Sequence, residues 1–217
     1  MSAPVINQDD LITERDALRA VIGEPSARVR SKVIDRVDPV CARFIAASPF
    51  VVMGTYEPDG LVDLSPKGDP AGFVQVLDER TLLVPDRFGN KRLDSFENLL
   101  VNPAMSLIFL IPGHNDTLRV AGRGQLTRQA DLLARLAVNG RTPELAVLVT
   151  VQEAYLHCAK SMVRARMWHP DHWPDTSNVP SLAEAMLAHG QLLEHQLVAD
   201  QAEMQAIIDT DAETRLY

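Results

Sequence analysis

Phe50-Val51-Val52-Met53-Gly54-Thr55-Tyr56-Glu57-Pro58-Asp59-Gly60-Leu61-Val62-Asp63-Leu64-Ser65 is the stretch on which the reading of the fold turns. Two short runs rich in apolar and β-branched residues flank Glu57-Pro58-Asp59-Gly60. In that tetrapeptide Pro presets φ and Gly accepts the left-handed region a tight turn needs. The stretch predicts a β-hairpin, with strands over Phe50–Tyr56 and Leu61–Ser65.

The same texture continues outward. Phe73–Leu77 and Thr81–Val84 are separated only by Asp78-Glu79-Arg80, and Ala104–Ile111 and Thr117–Leu126 flank Pro112-Gly113-His114-Asn115-Asp116. A last run, Leu145–Val151, extends toward His157. Closely spaced strands with short connections favour an antiparallel barrel over a doubly wound parallel sheet. Helices frame it. Thr13 opens one that carries Leu18, Val21 and Ile22 to Gly23, and Asp38-Pro39 opens a second that turns Val40, Phe44 and Ile45 inward and stops before Ser48-Pro49. Arg92–Leu100 has Leu93, Phe96, Leu99 and Leu100 at helical spacing, and Gln129–Val138 has Leu132, Leu133 and Leu136. From Ser181 a stripe of Leu182, Met186, Leu193, Leu197, Met204 and Ile208 predicts one long amphipathic C-terminal helix, packed on its own barrel or across a dimer.

The 217 residues, 46% hydrophobic and 23% charged, suit a single domain with one core. Acidic side chains outnumber basic ones, 29 to 21, for a formal charge of −8, which disfavours nonspecific nucleic-acid binding. Any phosphate site must be built by a local cluster of cations. Cys41 and Cys158 have no paired spacing, so neither a disulfide framework nor a zinc ribbon is indicated. The first residues lack a basic segment followed by an apolar one, and no apolar run approaches the ~20 residues that cross a bilayer. The expectation is a cytoplasmic chain without membrane or nucleic-acid partners.

One cluster of cations stands out. Val84-Pro85-Asp86-Arg87-Phe88-Gly89-Asn90-Lys91-Arg92 leaves a strand, turns near Gly89 and places Arg87, Lys91 and Arg92 just before a helix. A phosphate dianion takes several donors, and Arg forks, a Lys ammonium and the N–H groups of a helix start provide them. On this local pattern alone, a solvated basic turn is an equal alternative.

The segment resembles the phosphate grip of FMN-binding split barrels related to pyridoxamine 5'-phosphate oxidase, with the approximate pattern Y-T-N-x-x-S-R-K. Pro85 and Asp86 fall at its first two positions, Asn90 at the serine, and Lys91 and Arg92 at the basic pair with their order reversed. Asn102-Pro103-Ala104-Met105-Ser106-Leu107-Ile108-Phe109 resembles the family's N-P-x-x-S-L-x-F strand, and Leu118-Arg119-Val120-Ala121-Gly122 its x-R-V-x-G strand. Upstream, Ser65-Pro66-Lys67-Gly68-Asp69 resembles the strand end that holds the flavin's polar edge and phosphate. The likeness spans roughly 50–168.

It implies a β-rich α+β fold: an antiparallel split β-barrel with peripheral helices and a long C-terminal helix. The expected organisation is a single FMN-binding domain over 1–217, with a helical 1–49, a barrel at 50–157 and a helical extension at 158–217. FMN is the implied cofactor. Lys67, Arg87, Lys91 and Arg92 would anchor its phosphate, and Ser65, Asp86, Asn90 and Thr117 would hydrogen-bond it. Thr117 stands where the family places a glutamine. The resemblance also implies a homodimer with the flavin between subunits, so that Thr117, and Lys160 and Arg164 on one helical face, can serve a cofactor held by the partner chain.

The implied activity is an FMN-dependent oxidoreductase acting on a small molecule. The R-L-H-D-R segment of true pyridoxamine 5'-phosphate oxidases has no match, which points away from vitamin B6 oxidation. Alternatives are a noncatalytic flavin-binding or flavin-sensing module and, third, a haem-handling barrel using His157 or His114. Trp168 either covers the flavin edge or buries the barrel end. His157 and Cys158, adjacent on a strand, point to opposite faces, and His169 and His172 lie in a proline-rich loop, so no metal site is expected. G-x-S-x-G, Walker and Rossmann patterns are absent.

Overall fold

The Phe50–Ser65 stretch folds as a hairpin closed by two backbone hydrogen bonds, Glu57 N–H to Leu61 O at 2.8 Å and Gly60 N–H to Glu57 O at 2.9 Å. Its second strand runs further than the sequence suggests. The computed structural model describes residues 3–193 and 200–215. In chain order the elements are α1 (Arg15–Ile22), α2 (Ala27–Arg30), α3 (Pro39–Ala47), β1 (Phe50–Tyr56), β2 (Val62–Gly68), β3 (Gln75–Asp78), β4 (Thr81–Pro85), α4 (Asp94–Val101), β5 (Ala104–Leu110) and β6 (Thr117–Thr127). They continue with α5 (Ala130–Ala134), β7 (Ala146–His157), α6 (Lys160–Arg164), α7 (Leu182–Leu192) and α8 (Gln201–Thr214).

The strands form one seven-stranded sheet in the order β2-β1-β5-β6-β7-β4-β3, with every neighbouring pair antiparallel. The sheet does not close, yet both of its halves face one core. Val51 and Met53 of β1, Leu107 and Phe109 of β5, Leu118 of β6, Val149 of β7 and Leu82 and Val84 of β4 all pack in the same buried cluster. This is a split barrel in an α+β fold. The long strands β6 and β7 belong to both halves, and a bulge between Ala121 and Gly122 bends the pair. Gly122 is required there, because a Cβ would stand 2.1 Å from Thr150 O.

Pro66 sits within β2, which is an edge strand, so its missing N–H leaves no partner unpaired inside the sheet. On the inward face of β2, Asp63, Ser65 and Lys67 alternate with the exposed Val62, Leu64 and Pro66. Helix α4 covers that inward face. Asn98 Nδ2 donates to Thr55 Oγ1 at 3.2 Å, and Ser95 Oγ donates to Asp63, while Phe96 and Leu99 enter the core.

Several sequence expectations need correction. In α3 Val40 is exposed and Cys41, Phe44 and Ile45 are buried, because spacings of three and four from Cys41 define the inward face and Val40 lies 100° off it. Asp38 caps this helix as expected, accepting from Cys41 N–H at 2.8 Å. Helix α4 starts at Asp94 rather than Arg92, because Leu93 adopts a left-handed backbone, φ 62°. Leu93 and Leu100 are exposed, and the polar Ser95 and Asn98 take buried positions instead.

The helix expected over Gln129–Val138 is only α5, after which Asn139 and Gly140, both at positive φ, form a turn closed by the Val138–Arg141 pair. The expected long C-terminal helix is two helices. Leu193 leaves the helical region and Asp200 is extended, so α7 and α8 are separate and pack on each other. Leu197 lies outside the described residues. The expected apolar face of α1 exists but is exposed, with no buried residue. Among the described residues no helix is long and apolar enough to cross a membrane.

Candidate functional site

Three segments that are distant in sequence enclose a cavity of about 1050 Å³. One wall is the inward row of β2, from Asp63 to Gly68. The second is the end of β4 and the loop to α4, from Pro85 to Phe96. The third is the Arg141–Glu144 loop that follows the Asn139-Gly140 turn. The site thus joins β2 at one edge of the sheet to β4 from the other half.

Five basic side chains line it, Lys67, Arg87, Lys91, Arg92 and Arg141, with Asp63, Asp86, Asp94 and Glu144 as the acids. Their commitments differ. Arg92 Nε is 2.7 Å from Asp94 Oδ2, and both are exposed to solvent. Asp63 accepts from Ser95. Lys67 Nζ rests 5.1 Å from the centroid of the Phe96 ring, a cation–π contact that leaves its N–H groups to face the cavity. Lys91 has no ion-pair partner among the described residues, and it adopts a left-handed backbone, φ 60°. Lys91 and Leu93 therefore place two non-glycine residues in a costly conformation within one short loop, at about 1 kcal/mol or more each.

Asn90 shapes the turn, because its Oδ1 accepts from Arg92 N–H at 3.0 Å. Arg87 is tied down as well, with Nε 2.5 Å from Asp69 Oδ2 and Nη2 donating to Leu136 O at 2.9 Å. Burial holds the Asp86 carboxyl above its ordinary range, while the charges of Lys67 and Arg87 pull in the opposite direction. Apolar surface comes from Phe73, Pro85 and Phe88. The arrangement offers cations and an apolar wall within one concave space, which suits a planar ligand carrying an anionic group.

The sequence profile of the family described as pyridoxamine 5'-phosphate oxidase matches residues 37–158, more than half of the 217-residue chain. The chain belongs to the pyridoxamine 5'-phosphate oxidase family. The match contains all three walls of the cavity, from β2 through the Arg141–Glu144 loop. No curated protein sequence matches the chain.

Similar solved structures include HupZ of Group A Streptococcus, at 11% identity over 55% of this chain and 93% of that one, TM-score 0.45. A putative pyridoxamine 5'-phosphate oxidase from Lactobacillus delbrueckii is similar at 17% identity over 56% of this chain and 99% of that one, TM-score 0.43. An FMN-binding protein from Syntrophomonas wolfei is similar at 11% identity over 66% and 94%, TM-score 0.43.

Of the residues singled out from sequence in this family member, Ser65, Lys67, Asp86, Arg87, Asn90, Lys91 and Arg92 come together around the cavity. Thr117, Lys160 and Arg164 do not line it. Thr117 is buried at the start of β6 opposite His157, and Lys160 and Arg164 bound the exposed helix α6. Trp168 donates its Nε1–H to His114 O at 2.9 Å, and His114 packs edge-on against Phe44 with ring centroids 5.6 Å apart. His169 and His172 stand 6.3 Å apart by ring centroid. Among the described residues no group of three His, Cys, Asp or Glu is placed to hold a metal.

Sequence reasoning missed several lining residues, Asp63 and Asp94 beside its own candidates and, further along the chain, Arg141 and Glu144. The Asn139-Gly140 dipeptide, a strong signal for a two-residue turn with both φ positive, marks the loop that presents them.

Proposed function

We propose that this chain is an FMN-dependent oxidoreductase that acts on a small molecule. The observation that carries the proposal is the cation-lined cavity between β2, the Pro85–Phe96 segment and the Arg141–Glu144 loop. Lys67, Lys91 and Arg92 would hold a phosphate dianion, with Ser65, Asn90 Nδ2 and Asp86 at its margin. Phe73 and Phe88 supply the apolar surface a flavin ring needs, and the volume is ample for a ligand of that size. FMN, when bound, supplies the hydride and electron chemistry, so the protein's own part is binding, orientation and electrostatics.

A homodimer is part of the proposal. On the outer face of the hairpin, Tyr56 pairs with Val62 and Gly54 with Leu64, leaving an apolar row in which Val62 is 56% and Leu64 66% exposed. A second copy of the chain would cover that row. It would also give Lys160 and Arg164, which are exposed and away from their own chain's cavity, a route to the partner's cofactor, whereas Thr117 is buried within its own chain.

Purified protein titrated with FMN and with riboflavin tests the reading. FMN should bind at least ten-fold more tightly, because one charged hydrogen bond contributes about 1.5–3 kcal/mol. Bleaching of the bound flavin by NADH or NADPH, with turnover on an added electron acceptor, supports the enzyme. Flavin that stays oxidised under every donor supports a binding module, and equal affinity for the two flavins removes the phosphate site. Sedimentation should give a dimer that Leu64→Glu converts to monomer.

A further inference from the structure

Arg87 lines the cavity, but its surroundings are those of an internal tie. Its side chain is 17% exposed and that of Asp69 is 1% exposed, so the pair is largely shielded from solvent. The guanidinium fork uses Nε for Asp69 and Nη2 for the carbonyl of Leu136, two acceptors from different parts of the chain. Both acceptors are fixed from behind. Asp69 donates its N–H to Pro49 O at 3.1 Å, just before β1. Leu136 is buried in a small cluster with Leu83 of β4, Leu133 of α5 and Ala146 of β7.

Each of the three points lies close to a cation of the cavity. Lys67 is two residues before Asp69, Lys91 and Arg92 follow Arg87 in the same loop, and Arg141 follows Leu136 across the Asn139-Gly140 turn. One buried fork therefore ties together the three walls on which the anion-binding side chains are mounted.

Resting on the FMN reading above, we propose that Arg87, with Asp69, is a positioning residue that sets the spacing of the phosphate-binding cations and is not itself a ligand of the phosphate. A planar fork can satisfy two acceptors in divergent directions, whereas a lysine ammonium at that position reaches one of them. The charge of Arg87 is already neutralised by a carboxylate with almost no exposure to water, so little of it is left for a ligand in the cavity.

Asp69→Asn separates the two roles by sign. It removes a negative charge next to an anion site, so if Arg87 is a direct ligand, freeing its guanidinium from Asp69 should tighten FMN. If the pair positions the walls, FMN should weaken by about ten-fold or more despite the lost negative charge, and riboflavin should hardly change. The readout is the ratio of FMN to riboflavin dissociation constants, which a general loss of stability would not move selectively. Arg87→Lys keeps the charge and should reduce the same preference for FMN. The double variant should lose little more than either single one, because both break one tie.

An Asp69→Asn protein that binds FMN as tightly as the unaltered chain, or more tightly, overturns the proposal. If Asp69→Asn does not fold, Arg87→Lys decides alone: an unchanged preference overturns it, and a preference reduced five-fold or more supports it. If neither variant folds, the pair is a core element and the proposal is wrong. Unaltered protein that does not prefer FMN over riboflavin defeats the FMN reading itself, a result distinct from any of these.

Discussion

Lys67 Nζ stands 5.1 Å from the centroid of Phe96, so the cation that β2 directs into the cavity leans on the first turn of α4. The contact orients an otherwise flexible side chain. Phe96→Leu keeps an apolar group in the core but removes the ring face, and a cation–π contact at a partly exposed site contributes about 0.5–1 kcal/mol. FMN affinity should fall by about two- to five-fold, read by fluorescence titration. Lys67→Ala should weaken it further.

Lys91→Ala with Arg92→Ala distinguishes a phosphate grip from a generic basic turn. Two charged hydrogen bonds contribute roughly 3–6 kcal/mol before relaxation, so FMN should weaken by about two to four decades while riboflavin changes little. Both side chains are exposed, and the melting temperature should stay close to that of the unaltered protein. Equal losses for the two flavins at unchanged stability would end the assignment.

Asp86 gives a pH dependence with a definite sign. Its carboxyl is held above its ordinary range chiefly by burial. Between the ordinary and the raised value the folded chain keeps a proton that the unfolded chain has released, so stability contributed by this group is full in acid and is lost as pH rises through the raised value. Asp86→Asn should be more stable than the unaltered chain at neutral pH and similar to it in acid, measured as urea midpoints across that range. The same change should tighten FMN at neutral pH by removing a negative charge from the cavity.

The two cysteines should differ in reactivity. Cys41 is buried at the start of α3, where burial and the adjacent Asp38 carboxylate push its thiol up to about 11, whereas Cys158 is exposed. Native protein should take up one equivalent of a thiol reagent and denatured protein two, followed by mass. Rapid modification of Cys41 without unfolding would contradict the packing of α3.

Gly122→Ala tests the bulge where β6 bends. A Cβ there meets the Thr150 carbonyl at 2.1 Å, and backbone on both strands must move to relieve it. The change should cost about 3 kcal/mol or more, seen as a large drop in the urea midpoint.

The fold was legible in the sequence where local chemistry decides it. The Glu57-Pro58-Asp59-Gly60 turn and the apolar, β-branched run of Phe50–Tyr56 place the first hairpin, and Asp38-Pro39 places the start of α3. What escaped depends on contacts between distant segments. Ser95 and Asn98 are buried because Asp63 and Thr55 on the hairpin supply hydrogen-bond partners, and helical periodicity alone assigns those positions to solvent. The left-handed Leu93 has no local signal, since a leucine there is disfavoured on its own. In the site, the cations of the Arg87–Arg92 loop were legible as a cluster, but the partner that removes Arg87 from solvent, Asp69, is visible only once β2 and β4 are brought together.

The strand order also constrains how a growing chain reaches this structure. The β1–β2 hairpin can find β5 and β6 early, whereas β3 and β4, made immediately after it, have no neighbour in the sheet other than each other until β7 is synthesised more than sixty residues later. The β3–β4 hairpin must wait with one long edge unpaired, the kind of edge that recruits other chains during synthesis. Because β2 and the end of β4 form opposite walls of the cavity, the site cannot exist on a nascent chain that lacks β7. Truncation before Ala146 should therefore leave the cavity unassembled and an exposed strand edge that favours aggregation.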